Sequence, residues 1–257
     1  MSVFRYGADL QQGSRETMDD RALAAGHICE DGRSEGYLRG SEALFALCDG
    51  MGGYSGGRRA ALIALSRIRD GNPVDKASLR EALSEANRAI TREAMENPEY
   101  QDMGCTVTGV LFLENQTVFF NAGDSRVYRL RGSVLKKMTQ DNSEEERLRH
   151  AGIANGSELR SGRITKYLGG CSEDADITVI SVGALPGDRY LLCSDGLWSG
   201  LDKETITGYL EQKDTPALIC AKLTQKALEK GSMDNTSAMM IEFSDDIDAE
   251  QQMEKTL

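Results

Sequence analysis

Aspartate borders one apolar, strand-like run after another along this chain of 257 residues. Asp49, Asp124 and Asp195 follow such runs, and Asp234 precedes the last one. Each aspartate alone is typical of a turn, because its side chain can bond to nearby backbone. Together they predict several carboxylates at the ends of neighbouring strands, an arrangement that suits a hard divalent cation.

The type of ligand indicates which metal such a cluster would hold. Mg2+ and Mn2+ prefer oxygen ligands and Mg2+ retains several waters, so a few carboxylates from separate strands are enough. A two-metal site also needs a bridging carboxylate, and Gly50 after Asp49 would let a backbone carbonyl approach a cation closely. Asp19 and Asp20 add two more carboxylates near the start of the chain. Because no Cys, His or Ser nucleophile motif accompanies them, the pattern favours water as the nucleophile.

Hydrophobic periodicity predicts clusters of strands and pairs of helices. The predicted helices are 56–69, 78–96, 202–212 and 215–230. The predicted strands are 43–48, 104–113, 116–122, 125–130, 134–138, 176–182, 189–194 and 236–243. The second helix is expected to open with a capping box of Ser78 and Glu81, and a hairpin turn is expected at Asn115. This order of elements favours an α+β layered domain over a regular βαβ repeat.

Composition limits where the domain ends and what it binds. We expect one domain over 1–243, a flap-like polar insertion at about 140–175 and a flexible acidic tail at 244–257. The chain has 30 Lys and Arg against 41 Asp and Glu, a formal charge of −11, which argues against nucleic acid as a partner. It shows neither a signal peptide nor an apolar run near the roughly 20 residues that span a bilayer. A cytoplasmic monomer without a membrane partner is the default expectation.

The six cysteines are scattered, and no two of them form a CxxC pair. Isolated cysteines usually behave as small apolar residues, so we expect buried, reduced thiols. With only two histidines in the chain, a zinc site is disfavoured.

Seven short stretches carry a resemblance to a known family. They are RETMDD at 15–20, LCDGMGG at 47–53, GCTVT at 104–108, NAGDSR at 121–126, ITKYLG at 164–169, CSDGLW at 193–198 and DNT at 234–236. In this order they resemble the PPM family, the metal-dependent protein Ser/Thr phosphatases of the 2C type, in their compact bacterial form. The resemblance implies two packed antiparallel β-sheets, a central β-sandwich, flanked by pairs of α-helices with the metals in a cleft at one end.

The resemblance also implies roles for individual residues at a two-metal centre. Asp49 would bridge both ions, and Gly50 would offer its carbonyl to one of them. Asp195 and Asp234 would hold the other ion. Asp20 would bind mostly through metal-bound water.

Four further positions complete the implied site. Asp19 would bind through water, and Asp124 with Asp195 would form the third metal site of some family members. Arg15 would bind the substrate phosphate, because a guanidinium offers bidentate hydrogen bonds to phosphate. Met51 stands where eukaryotic members place a histidine, so the chain has no acid at that point.

The implied activity is hydrolysis of phosphoserine and phosphothreonine monoesters by a water or hydroxide that bridges two divalent ions. Either Mg2+ or Mn2+ suits the ligands. Phosphorylated proteins would be the substrates, and a cognate Ser/Thr kinase a further partner. Two departures from the family pattern stand out: Met18-Asp19-Asp20 replaces its Asn-Glu-Asp, and its His-Pro element is not evident around Ser161-Gly162-Arg163.

Other functions fit the sequence less well. No cysteine has the arginine six residues later that a cysteine-dependent phosphatase needs. The segment 174–178 matches Asp-x-Asp-x-Thr of haloacid-dehalogenase-type phosphotransferases, but it leads into a strand instead of following one. No Gly-Lys-Ser/Thr follows the Gly-rich segment 50–57, which disfavours a nucleotide-binding loop. The remaining alternative is an inactive PPM-like binding module, although such domains typically lose metal aspartates that this chain retains.

Overall fold

The computed structural model describes residues 1–52, 56–114, 116–152, 162–169 and 177–245. The strands are β1 (Ser2–Gln11), β2 (Arg21–Ala24), β3 (His27–Cys29), β4 (Gly32–Arg39), β5 (Ala43–Cys48), β6 (Gly50–Met51), β7 (Gly104–Cys105), β8 (Val107–Leu113), β9 (Gln116–Ala122), β10 (Arg126–Arg131), β11 (Val134–Lys137), β12 (Thr178–Val182), β13 (Arg189–Cys193) and β14 (Thr236–Asp245). The α-helices are α1 (Gly56–Asp70), α2 (Lys76–Glu96), α3 (Glu144–His150), α4 (Asp195–Trp198), α5 (Lys203–Leu210) and α6 (Pro216–Glu229).

Two six-stranded antiparallel sheets form the centre of the molecule. The first has the order β11-β10-β13-β14-β1-β4, and the second has the order β12-β9-β8-β5-β2-β3. The short strands β6 and β7 pair separately beside the ends of the second sheet. The predicted α+β class with two packed antiparallel sheets is therefore confirmed.

Three apolar layers hold the sandwich together. Between the sheets, buried aromatic side chains pack edge to face, as Phe112 does on Tyr190 with ring centroids 5.2 Å apart. Helices α1 and α2 cover the outer face of the second sheet, and α4, α5 and α6 cover that of the first. Helix α6 approaches β1 so closely that a Cβ on Gly7 would lie 2.1 Å from the backbone nitrogen of Ala217. Glycine at this position is what permits the contact.

Most predicted elements are confirmed to within a few residues, but two details were wrong. The predicted strand 104–113 is interrupted at Thr106, which separates β7 from β8. The cap of α2 is Asp75 rather than Ser78: the Asp75 carboxylate accepts from the N–H of Ser78 at 2.7 Å, and Ser78 Oγ accepts from the N–H of Asp75 at 3.1 Å. Asp75 and Ser78 have the same three-residue spacing as the predicted pair, one helical turn earlier.

Several elements were not predicted. Strands β1 to β4 lack a continuous apolar run, and α3 lies in the segment predicted as a polar flap. Among the described cysteines, Cys48, Cys105, Cys193 and Cys220 are free and buried as expected, whereas Cys29 is only partly buried. The turn at Asn115 and the tail from 246 onward lie outside the described residues. In the part of the chain that is described, no helix is long and apolar enough to cross a membrane.

Candidate metal centre

A cleft of about 1040 Å³ at one end of the sandwich collects the aspartates that the sequence singled out. The predicted site residues along its wall are Arg15, Asp19, Asp49, Gly50, Asp195 and Asp234. Asp20 and Asp124 are not part of this wall, but their charges act directly on the Asp49 carboxylate. All the carboxylates of the predicted site therefore face one region of the molecule.

The backbone of Asp49 is fixed by Thr106. The N–H of Asp49 donates to Thr106 Oγ1 at 3.0 Å, and its carbonyl accepts from the N–H of Thr106 at 2.9 Å. Thr106 Oγ1 also lies 2.8 Å from Oγ of Ser125, the neighbour of Asp124. Thr106 therefore ties the backbone of one candidate ligand to the residue beside another, at the point where the predicted strand breaks. Sequence reasoning noted the stretch but assigned Thr106 no role.

Gly50 is required for a reason other than the one the sequence suggested. A Cβ at this position would lie 2.3 Å from the carbonyl oxygen of Gly57 and 2.8 Å from that of Asp19. Glycine therefore allows three backbone segments to meet at the cleft. A carbonyl contact from Gly50 to a cation stays a prediction.

Asp20 lies directly before β2 and is fully buried. The hydroxyls of Ser194 and Ser237 are near enough to favour the charged form of Asp20, but neither hydroxyl lies in hydrogen-bond geometry with an oxygen of its carboxylate. The backbone of this segment is held by the buried side chain of Arg21, whose Nη1 donates to the carbonyls of Met18 and Asp20, each at 2.7 Å. Arg21 was missed by the sequence analysis, and a cation directly after Asp20 was the available signal.

Arg15 and Asp234 form an ion pair at the cleft, with Nη2 and Oδ2 2.6 Å apart. The other carboxylate oxygen of Asp234 accepts from the N–H of Asn235 at 2.8 Å. Both oxygens of Asp234 therefore have partners, although a carboxylate has lone pairs for further contacts. The guanidinium of Arg15 remains mostly exposed and faces the cleft.

Asn235 is a third site residue that the sequence analysis did not assign, after Thr106 and Arg21. Its Nδ2 donates to the carbonyls of Gln12 at 2.8 Å and Thr17 at 2.9 Å, and its Oδ1 accepts from the N–H of Asp19 at 2.7 Å. These bonds shape the loop that carries Arg15 and Asp19. Arg58 also belongs to this region, because its Nε lies 4.0 Å from Oδ1 of Asp19.

Burial and mutual repulsion dominate the electrostatics of the cleft. The surrounding protein desolvates Asp49 and raises the pKa of its carboxyl well above the ordinary value, and the charges of Asp20, Asp195, Asp124 and Asp234 raise it further. Burial, followed by the charge of Asp195, raises the pKa of Asp124 to about 7. Such a concentration of carboxylates needs a compensating positive charge.

The unpartnered oxygens test whether a divalent cation fits. In the described part of the chain, the buried carboxylate oxygens in or beside the cleft that lack a hydrogen-bond donor are Oδ1 of Asp19, both oxygens of Asp20, Oδ1 of Asp124 and Oδ1 of Asp195. A buried anionic oxygen without a partner destabilises the fold by roughly several kcal/mol unless a cation neutralises it. An all-oxygen set of this kind is what Mg2+ and Mn2+ prefer, so these residues fit the expected metals.

The aspartates do not form a closed cage. Within the described ranges, no group of three or more His, Cys, Asp or Glu side chains is placed so that it could hold a metal ion by itself. Mg2+ usually keeps several waters and takes only one or two protein carboxylates, so an open arrangement suits it better than a closed cage would.

Comparison with known proteins places this cleft in context. The family model for protein phosphatase 2C matches residues 4–236. The chain is 33% identical over 252 residues to the serine/threonine protein phosphatase PstP of Mycobacterium tuberculosis. That match includes 95% of this chain but only 46% of the length of the relative. It is 27% identical to the serine/threonine phosphatase stp of Listeria monocytogenes, covering 84% of this chain and 90% of the relative.

Solved structures agree with the family match. The crystal structure of M. tuberculosis PstP/Ppp superposes with a TM-score of 0.82 at 29% identity, covering 95% of this chain and all of that chain. The catalytic domain of PstP in complex with two manganese ions superposes with a TM-score of 0.80 at 30% identity, with the same coverage. Since the family model covers nearly the whole described fold, including the cleft and its aspartates, the chain belongs to the protein phosphatase 2C family.

Proposed function

We propose that this protein is a metal-dependent phosphatase that hydrolyses phosphoserine and phosphothreonine in other proteins. The observation that carries the proposal is the set of unpartnered, buried carboxylate oxygens that lie in or beside the cleft lined by the exposed guanidinium of Arg15. Membership of the protein phosphatase 2C family supports the same reaction. The substrates are proteins phosphorylated by a Ser/Thr kinase, and the chain acts as a monomer.

Each residue at the cleft has a distinct part in the proposal. Asp49 would bridge two divalent ions, Mg2+ or Mn2+, and Gly50 would offer its carbonyl to one of them. Asp195 and Asp234 would hold the other ion, and Asp20 would contribute through water. When bound, the ions supply a water of lowered pKa and neutralise charge on the phosphoryl group.

Three residues complete the proposed centre. Asp19 would contribute through water, as Asp20 would, and Asp124 together with Asp195 would take a third ion. Arg15 binds the phosphate of the substrate and orients it, because its guanidinium is exposed on the cleft wall and matches phosphate in charge and geometry.

The test is hydrolysis of an aryl phosphate and of a phosphothreonine peptide with and without Mn2+. We expect turnover that depends on the metal, that Asp49→Asn abolishes, and that Asp31→Asn leaves unchanged. Asp31 is a matched control because it is an exposed aspartate outside the cleft. Metal binding without any turnover would instead identify a regulatory binding module and overturn the proposal.

A further inference from the structure

The short helix α4 connects two of the candidate ligands. It begins with Asp195 and ends with Trp198. The indole Nε1–H of Trp198 donates to the backbone carbonyl of Asp124 at 3.0 Å. The single turn of α4 therefore carries the carboxylate of Asp195 at its start and holds the backbone of Asp124 at its end.

The indole of Trp198 is itself held by a partly buried platform, the guanidinium of Arg126. The guanidinium carbon of Arg126 lies 3.3 Å from the centroid of the indole ring. Arg126 cannot rotate freely, because its Nε and Nη2 donate to the two carboxylate oxygens of Asp141 at 3.0 and 2.6 Å. Nη1 of Arg126 also donates to the hydroxyl of Tyr128 at 2.9 Å. The cation–π contact thus sets the position of the N–H that reaches Asp124.

The rest of the Asp124 loop is held from other directions. The N–H of Gly123 donates to Oδ1 of Asn142 at 3.1 Å, and Ser125 Oγ lies 2.8 Å from Thr106 Oγ1. Neither bond restrains the Asp124 peptide relative to α4. In the described structure, the indole bond is the one hydrogen bond that connects Asp124 with the helix of Asp195.

The bond from Trp198 to Asp124 matters because the carboxylates of Asp124 and Asp195 repel each other. Asp124 and Asp195 each present a buried oxygen without a hydrogen-bond partner. Two neighbouring carboxylates repel each other, and the repulsion strengthens where the local dielectric constant is low. The pairing of Arg126 in β10 with Cys193 in β13 keeps the two segments adjacent, but without the indole bond the Asp124 peptide itself could shift away from α4, and a cation would have to draw it back on binding.

We propose that Trp198 is a positioning residue that fixes Asp124 against Asp195 and thereby sets how tightly this pair binds a divalent cation. The inference rests on the proposed metal centre. It concerns the ion that Asp124 and Asp195 would hold together, and not the ions that Asp49 would hold.

The test uses Trp198→Phe, which keeps an aromatic ring over Arg126 and removes the N–H donor. Mn2+ binding to the full chain is followed by titration calorimetry, and thermal unfolding in EDTA reports the stability of the metal-free fold. We expect the Mn2+ phase that Asp124→Asn removes to lose about five-fold to ten-fold in affinity, the effect of about one hydrogen bond, while the other phases stay unchanged. In an Asp124→Asn background, Trp198→Phe should have no further effect on Mn2+ binding.

Tyr190→Phe is the matched control. It also removes one buried hydrogen bond of an aromatic side chain, from Tyr190 to Asp188 at 2.9 Å, but at a place outside the cleft. It should lower stability in EDTA and leave every Mn2+ phase unchanged. If Trp198→Phe does not fold, Arg126→Lys, which removes the planar platform and keeps the charge, replaces it with the same expected result.

Three outcomes overturn the inference. A Trp198→Phe isotherm identical to that of the wild type shows that the indole bond is only structural. Equal weakening in Tyr190→Phe shows that Mn2+ affinity follows global stability. If the wild-type chain binds no Mn2+ at all, the proposed metal centre is wrong and the inference is wrong with it. The first two outcomes, by contrast, overturn the inference and leave the metal centre intact.

Discussion

Replacing Asp20 by asparagine should make the metal-free protein more stable at pH 8, although it removes a carboxylate from the metal centre. Asp20 is fully buried, and neither of its oxygens has a hydrogen-bond donor. Burial is the main cause that raises the pKa of Asp20 to about 7. The hydroxyls of Ser237 and Ser194 lower this pKa, and the charges of Asp195 and Asp234 raise it.

The size of the effect follows from proton linkage. The unfolded chain releases this proton near the ordinary pKa of 3.8, whereas the folded protein keeps it to about 7. The native state therefore binds more protons between about pH 4 and pH 7, so the free energy of unfolding falls as pH rises through that window. Three pKa units correspond to about 4 kcal/mol, which is an upper bound because water can enter and neighbours can rearrange. We expect a gain of about 2 kcal/mol for asparagine, which does not titrate.

Urea unfolding in EDTA at pH 8 and at pH 4.5 measures the difference between wild type and Asp20→Asn. The variant should be more stable at pH 8, and its advantage should shrink to about a quarter at pH 4.5, where the wild-type carboxyl is protonated in the native state but still largely ionised in the unfolded chain. In saturating Mn2+ the order should reverse, because the wild type gains the free energy of metal binding. Asp31→Asn should show no such pH dependence. A variant that is less stable than the wild type at pH 8 in EDTA would refute the electrostatic reasoning.

Three further predictions concern the substrate, the metal and the packing. Arg15→Ala should raise KM about ten-fold and lower kcat less, because it removes a charged phosphate contact that forms before the transition state; unchanged kinetics would make Arg15 a mere surface cation. Asp234→Ala should weaken Mn2+ affinity about ten-fold or more in calorimetry, and a normal titration would remove it from the metal centre. Gly7→Ala should destabilise the fold by about 3 kcal/mol in urea unfolding, because its Cβ would overlap the backbone of Ala217. The control Gly208→Ala, in α5 with open space around it, should instead stabilise by about 1 kcal/mol.

The strands and helices that the sequence predicted correctly share a strong local signal. The run 43–48 is continuously apolar because β5 is buried on both faces, and α6 has Pro216 in its first turn with Gly231 beyond its end. Strand β4 has the sequence GRSEGYLR and alternates between half-buried and exposed residues at the edge of its sheet. An edge strand of this kind carries no apolar run, so its pairing with β1 comes from tertiary structure.

The residues that shape the cleft were harder to predict than the aspartates themselves. An aspartate after an apolar strand is visible in the sequence, because both the run and the carboxylate are local. Thr106 and Asn235 act through partners that lie 57 and 216 residues away in the sequence, in Asp49 and Asp19. No local pattern encodes such a bond. It depends on how the ends of the two sheets meet.

The cleft fixes the backbones of its aspartates and leaves their carboxylates largely unpaired. The backbone bonds are those of Thr106 to Asp49, Arg21 to Asp20, Asn235 to Asp19 and Trp198 to Asp124. Hydrogen bonds to the carboxylates themselves would have stabilised the fold but would have competed with a cation for the same oxygens. Holding the main chain instead keeps like charges together at a cost to the metal-free state. The same arrangement means that a cation meets ligands already in place, so little of its binding free energy is lost in ordering them.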